Sequence, residues 1–211
     1  MSRETLSQQA ARRIREEINE GLIAPNSILT ERDLAERLGI SRTPLRSALS
    51  VLEREQVIER MANGALLVRH IAIEQLLDII QLRLILERAA AVRAAEFGLT
   101  PELEAARARQ ERYLSDDPKT FDGFWTDDSD FHRAVAMAAR LSLLPELLKE
   151  QRAIVRRSTI IRSHQNFAGQ AQEHIAVIDA IAARDPEAAG AAMALHFRQM
   201  RARTLGSLDR D

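Results

Sequence analysis

The 211-residue sequence predicts a mostly α-helical protein: an N-terminal winged helix-turn-helix followed by an all-helical bundle of about six helices. Two observations carry this reading. Residues 1–70 mix helical periodicity with one hairpin signal, whereas residues 71–211 read as helix throughout. The seam falls near His70–Ala72, which gives domains 1–70 and 71–211.

Each element has a local reason. Leu6, Ala10, Ile14 and Ile18 recur every four residues and mark one helix face, with Gly21 as its stop. Thr30-Glu31-Arg32-Asp33 has the form of a capping box opening a second helix that closes at Gly39. Ser41 is placed to cap a third helix, with Pro44 tolerated in its first turn. Leu45, Leu49 and Leu52 share one face of that helix, while Arg42, Thr43 and Arg46 lie on another. In VIERMANGALLV, Asn63-Gly64 sits between two apolar runs and predicts a two-residue hairpin turn. In the second segment, LLDIIQLRLILERAAAVRAAEF is long and amphipathic and ends at Gly98; Thr100-Pro101 opens the next helix. Further helices are expected from about Pro118 to Arg140, over 144–163, from near Gly169 through His174, and after Asp185-Pro186 through His196.

Composition bounds the function. An apolar fraction of 45% with 29% charged residues suits a globular protein with a real core. No apolar run approaches the ~20 residues that span a bilayer, and the charged start MSRETLSQQAARRIREE is not a secretory signal. The expectation is a cytoplasmic protein with no membrane partner. Without cysteine there is no disulfide framework and no thiolate metal site. Residues 1–70 carry 11 Arg against 10 acids, and the whole chain has a net charge of −1. DNA binding is therefore argued from pattern rather than bulk charge. A short helix can present its N-terminal side chains to base edges in the major groove, where arginine forms paired hydrogen bonds to guanine.

The stretch TDDSDFH raises a second possibility. On a helix, Asp128 and His132 are one turn apart on the same face, while Asp127 and Asp130 point elsewhere. His174 and His196 each accompany the apolar stripe of their own helix, where histidine is unusual unless paired or ligating. One Asp and three His can supply four ligands to a borderline divalent ion. Spacing alone does not show that they converge, and an ion pair is the alternative for Asp128 and His132. Arg83 lies within the long helix, where a fixed guanidinium could clamp a carboxylate or pair with Glu87 four residues on. Arg156 and His164 are weaker candidates to line a cavity, Trp125 reads as core, and His70 is given no role.

The run LTERDLAERLGISRTPLRSAL, within a longer match from Ile14 to Glu59, closely resembles the DNA-binding domain of GntR-family transcriptional regulators. The resemblance implies that Arg32, Ser41, Arg42, Thr43 and Arg46 contact operator DNA, and that Gly64 approaches the minor groove from the wing tip. Family regulators usually have glycine where this chain has Asn26 and Gln56, and both departures fall at turns. DSDFHRAVAMAA and EHIAVIDAIAARDPEAAGAAMALHF resemble the FCD ligand-binding domain found in one GntR subgroup. That resemblance implies a metal held by Asp128, His132, His174 and His196. It also implies a small organic acid in the open coordination positions, with Arg83 a further candidate to bind it. Zinc is expected first, while nickel, cobalt, manganese and iron(II) also suit the ligand set. The implied protein is a homodimeric repressor reading a near-palindromic double-stranded operator. The sequence has no H-E-x-x-H pattern with a built-in general base. A metal-dependent hydrolase or lyase and a purely structural metal remain the alternatives.

Overall fold

The computed structural model describes residues 4–115, 120–156, 158 and 166–206. The chain divides into two compact units, Met1–Ile71 and Ala72–Asp211.

The first unit contains α1 (Leu6–Asn19), β1 (Ile28–Leu29), α2 (Glu31–Leu38), α3 (Arg42–Arg54), β2 (Ile58–Arg60) and β3 (Leu66–Val68). Thr5 and Gln8 form a reciprocal capping box at the start of α1. Ala10, Ile14 and Ile18 are buried as their spacing predicts, but Leu6, the first helical residue, overhangs the core and is exposed. They pack against Leu45, Ala48, Leu49 and Leu52 of α3 in one apolar core. The box expected at α2 is only half made. Thr30 accepts the Asp33 N–H at 3.1 Å and donates to the Asp33 carboxylate at 2.7 Å. Asp33 is one methylene shorter than glutamate and makes no return bond to the Thr30 N–H. Gly39 closes α2 in the left-handed region at φ +65°.

Two turn expectations are corrected. Ser41 occupies the cap position of α3 with extended backbone, yet its side chain makes no capping bond. A cap serine accepts from the second or third helical N–H, and the third residue here is Pro44, which has none. The hairpin is not closed by a two-residue Asn63-Gly64 turn. Arg60 pairs with Leu66, the Met61 N–H bonds the Ala65 carbonyl, and the Gly64 N–H bonds Met61. Gly64 is thus the last residue of a four-residue turn, at φ +83°. The wing also gains a strand that the sequence reading lacked: β1 pairs with β3, giving the order β1-β3-β2.

Asn26 and Gln56, the two turn positions at which the sequence departs from the resemblance noted above, adopt φ +64° and +54°. Asparagine tolerates the left-handed region, whereas Gln56 holds it at a cost of about 1–2 kcal/mol. Gln56→Gly is expected to stabilise the protein by about 0.5–1 kcal/mol. Thermal unfolding of the full chain should show a rise of roughly 1–4 °C; an unchanged or lower midpoint would refute the strain.

The second unit contains α4 (Ile73–Phe97), α5 (Pro101–Glu111) with a 3₁₀ turn at Arg112–Leu114, α6 (Phe121–Ala138), α7 (Leu144–Arg156), α8 (Phe167–Ala182) and α9 (Pro186–Gly206). Thr100, Thr120 and Asn166 cap α5, α6 and α8 through their side chains. α6 therefore starts at Phe121, three residues later than Pro118 suggests. The helix expected over 144–163 is seen to Arg156; His164 lies outside the described residues. α4 packs along α9 and also meets α6 and α8, so the inward faces of these four helices surround one interior. Alanines at 90, 91, 94 and 95 let α4 come close. A Cβ at Gly190 of α9 would lie 2.7 Å from the Val92 Cγ2. Among the described residues no helix is long and apolar enough to cross a membrane.

Candidate metal centre and DNA-reading face

The structure brings Asp128, His132, His174 and His196 together inside the bundle. α6 supplies Asp128 and His132, α8 supplies His174, and α9 supplies His196. The three rings are fully buried, and one nitrogen from each lies within 4.8 Å of the others. Asp128 Oδ1 is 3.3 Å from His174 Nε2 and 3.6 Å from His132 Nε2. Among the described residues, none of the three buried Nε2 atoms has a hydrogen-bond partner. A polar atom buried in this way is costly unless something occupies it. Three such atoms facing a carboxylate form a donor set that fits a divalent metal.

The opposite ring nitrogens are all engaged. His132 Nδ1 meets the Glu87 carboxylate, His174 Nδ1 lies 3.1 Å from Gln110 Oε1, and His196 Nδ1 lies 2.8 Å from Glu173 Oε2. Each acceptor calls for an Nδ1–H donor, which leaves the Nε2 lone pair free to ligate. Gln110 is itself held by donating 3.2 Å to the Asp127 carbonyl. Arg203 grips Glu173 at 2.6 and 3.0 Å. Burial would raise the Glu87 carboxyl, but the Arg83 guanidinium and the His132 ring override it and hold it at about 2. Burial likewise opposes ionisation of Asp128, and Arg152 and the neighbouring rings overcome it, so its carboxyl sits well below the usual range. Burial depresses His174 and His196, favouring the neutral imidazoles that a metal requires.

Arg83 is buried and pairs with Glu87 at 2.8 Å, so the ion pair its spacing allowed is present. Its Nη2 nevertheless has no acceptor among the described residues. Arg152 reaches from α7 to the Asp128 carboxylate and to Ser129 Oγ at 2.8 Å, and lies 4.7 Å over the Trp125 ring. Arg83, Arg152, Asp128 and Trp125 line a cavity of about 30 Å³, room for about one water. Arg156 pairs instead with Asp122 at 3.0 Å. Asp127 is taken by Tyr113 Oη at 2.7 Å and by Arg112, and Asp130 by Arg133. Neither joins the histidines.

Sequence reasoning missed four residues that shape this site. Glu173, next to His174 in the sequence, serves His196. The sequence spacing of Glu87 points only to Arg83. Gln110 and Arg152 carry no local signal, because what selects them is a contact across helices.

In the first unit, Arg32, Ser41, Arg42, Thr43, Arg46 and Gly64 are all exposed. Arg46 Nε donates to Glu31 at 3.0 Å, and Arg60 takes the other oxygen of the same carboxylate at 3.0 Å. The Arg46 hydrogen bond, with Arg60 beside it, lowers the Glu31 pKa. Arg46 is thus presented on a tether at the surface of α3.

Residues 6–68 match the bacterial regulatory proteins, gntR family, and residues 78–199 match the FCD domain. The chain is 25% identical over 200 residues to the HTH-type transcriptional repressor RspR of Escherichia coli, covering 92% of this chain and 87% of that one. It is 30% identical over 219 residues to a regulatory protein named for the L-lactate dehydrogenase operon of Escherichia coli, covering 91% and 83%. The structure of E. coli McbR/YncC matches with a TM-score of 0.73 at 21% identity, covering 97% of this chain and 99% of that one. The helix-turn-helix with its wing and the helical bundle that follows it in the chain are therefore parts of a DNA-binding transcriptional regulator rather than an enzyme, and the chain belongs to the GntR family, in the group that carries an FCD domain.

Proposed function

We propose that the protein is a homodimeric cytoplasmic repressor whose hold on a near-palindromic operator is released by a small carboxylate bound at a divalent metal. The observation that carries this reading is the set of three buried histidine Nε2 atoms beside Asp128 that have no hydrogen-bond partner among the described residues. Asp128, His132, His174 and His196 would hold the ion, with zinc the first candidate and nickel, cobalt, manganese or iron(II) also suited. A bound metal supplies positive charge and open coordination positions. The protein supplies ring orientation through Glu87, Gln110 and Glu173. Arg32, Ser41, Arg42, Thr43 and Arg46 would contact the operator, with Gly64 bringing the wing to the minor groove. Support for repression comes from the similarity to RspR, which is named a repressor. A purely structural metal is disfavoured by the cavity beside Asp128, where two buried arginines have N–H groups without an acceptor among the described residues.

The test is a thermal-shift screen of small carboxylates on metal-loaded and chelated protein. A ligand at 100 times its Kd adds ~2.7 kcal/mol, a shift of roughly 5–10 °C for this size. The expected hit requires metal and weakens operator binding, with a coupling of ~1–3 kcal/mol. Stabilisation by metal alone, with every carboxylate inert, would leave a structural metal and overturn the sensing role.

A further inference from the structure

Two buried arginine N–H groups beside the metal centre have no acceptor among the described residues: Arg83 Nη2 and Arg152 Nη1. Both side chains line the cavity that also exposes Asp128. Among the described residues, their hydrogen bonds go to Glu87 for Arg83 and to Asp128 and Ser129 for Arg152. A guanidinium fork suits a planar carboxylate, and a buried one left short of acceptors calls for an anion.

The charges give the size of that anion's charge. Glu87 is matched by Arg83, Asp128 by Arg152 and Glu173 by Arg203. Imidazoles that ligate a metal do so in the neutral form. The protein therefore brings three carboxylates and three guanidiniums, with no net charge of its own. A divalent ion adds two positive charges to a buried site, and one monocarboxylate cancels only half of that. Buried charge is tolerated when it is matched.

We propose that the ligand is a short dicarboxylate, with one carboxylate on the metal and the other received by Arg83 Nη2 and Arg152 Nη1. This rests on the metal-sensing reading given above. The remaining wall includes Phe124, Trp125, Val155 and Met200, so the middle of the ligand is a short hydrocarbon rather than a polyol. The cavity holds about one water, so a diacid enters only as side chains give way. Arg152, clamped between Asp128 and the Trp125 ring, is the side chain whose shift would be visible, because Trp125 is the chain's only tryptophan.

The experiment uses the full chain loaded with one equivalent of zinc. It is titrated with chain-matched pairs: malonate and propionate, succinate and butyrate, glutarate and valerate. Calorimetry gives affinity, and Trp125 fluorescence reports Arg152. At least one diacid is expected to bind 100-fold or more tighter than its monoacid and to change the fluorescence. In Arg152→Gln protein shown to hold one zinc, that preference should fall at least tenfold. Equal binding of mono- and diacids would overturn the dianion while leaving a metal-bound carboxylate standing. Diacid binding that is unchanged by chelation, or no binding by any of the six acids, would overturn both. A full preference kept in zinc-loaded Arg152→Gln protein would overturn the arginine fork. Should that variant lose its metal, the matched pairs on the unaltered chain decide alone.

Discussion

Replacing His174 by alanine is expected to weaken metal binding at least 100-fold and to abolish any metal-dependent response to carboxylates. His174 is one of four converging donors, and it brings α8 to the Asp128 carboxylate of α6 through a 3.3 Å approach. Even partners that only orient a ligating histidine are worth 10–100-fold in affinity; removing the ligand itself costs more. The substitution also strands Gln110 Oε1 and empties the space against Phe131, whose ring stacks on His174 at 4.1 Å. A stability loss of about 2–4 kcal/mol from the cavity and the unpaired acceptor is therefore expected in metal-free protein as well. Competition titration against a chromophoric chelator separates the two effects. Gln110→Leu supplies the comparison: it removes the acceptor but keeps the ring, and should lose 10–100-fold. Unaltered metal affinity in His174→Ala protein would remove this histidine from the site.

The second large effect is expected on DNA. Arg46→Ala should reduce operator affinity by about 2–6 kcal/mol, taking ~1–3 kcal/mol for one paired arginine–guanine contact in each of two half-sites. That is on the order of 30-fold to 10,000-fold. Binding to unrelated DNA should fall much less, because phosphate contacts are shared by all sequences. Arg46 is exposed and, among the described residues, its side chain is held by Glu31, so its removal leaves the core of the domain intact. Fluorescence anisotropy with operator and scrambled duplexes reads both affinities. Equal losses on the two duplexes would make Arg46 a phosphate contact rather than a base reader. Metal and carboxylate binding should be unchanged in this variant, since the substitution lies in the other unit.

The two units were legible for different reasons. In the N-terminal one, short-range chemistry decides most of the outcome: Gly39 ends a helix, Leu45, Leu49 and Leu52 line up one turn apart, and apolar runs flank Asn63-Gly64. The errors came where two local signals compete at one residue. Pro44 removes the N–H that Ser41 would cap, and Gly64 ends a four-residue turn instead of centring a two-residue one. β1 escaped notice because two residues carry no periodicity, and pairing with β3 is what makes them a strand.

By itself, the sequence determined the helix order, the exposed arginines of α3 and the pairing of Asp128 with His132 on one helix face. All of these follow from residues within a few positions of each other, where backbone geometry sets the distance. The tertiary structure alone decided that His174 and His196 meet that pair, that Glu87, Gln110 and Glu173 each turn one ring, and that Arg152 closes on Asp128. Those partners lie 23 to 64 residues apart along the chain. Helix packing, through small residues such as Gly190 against Val92, sets how near such side chains come, and no local pattern encodes that distance.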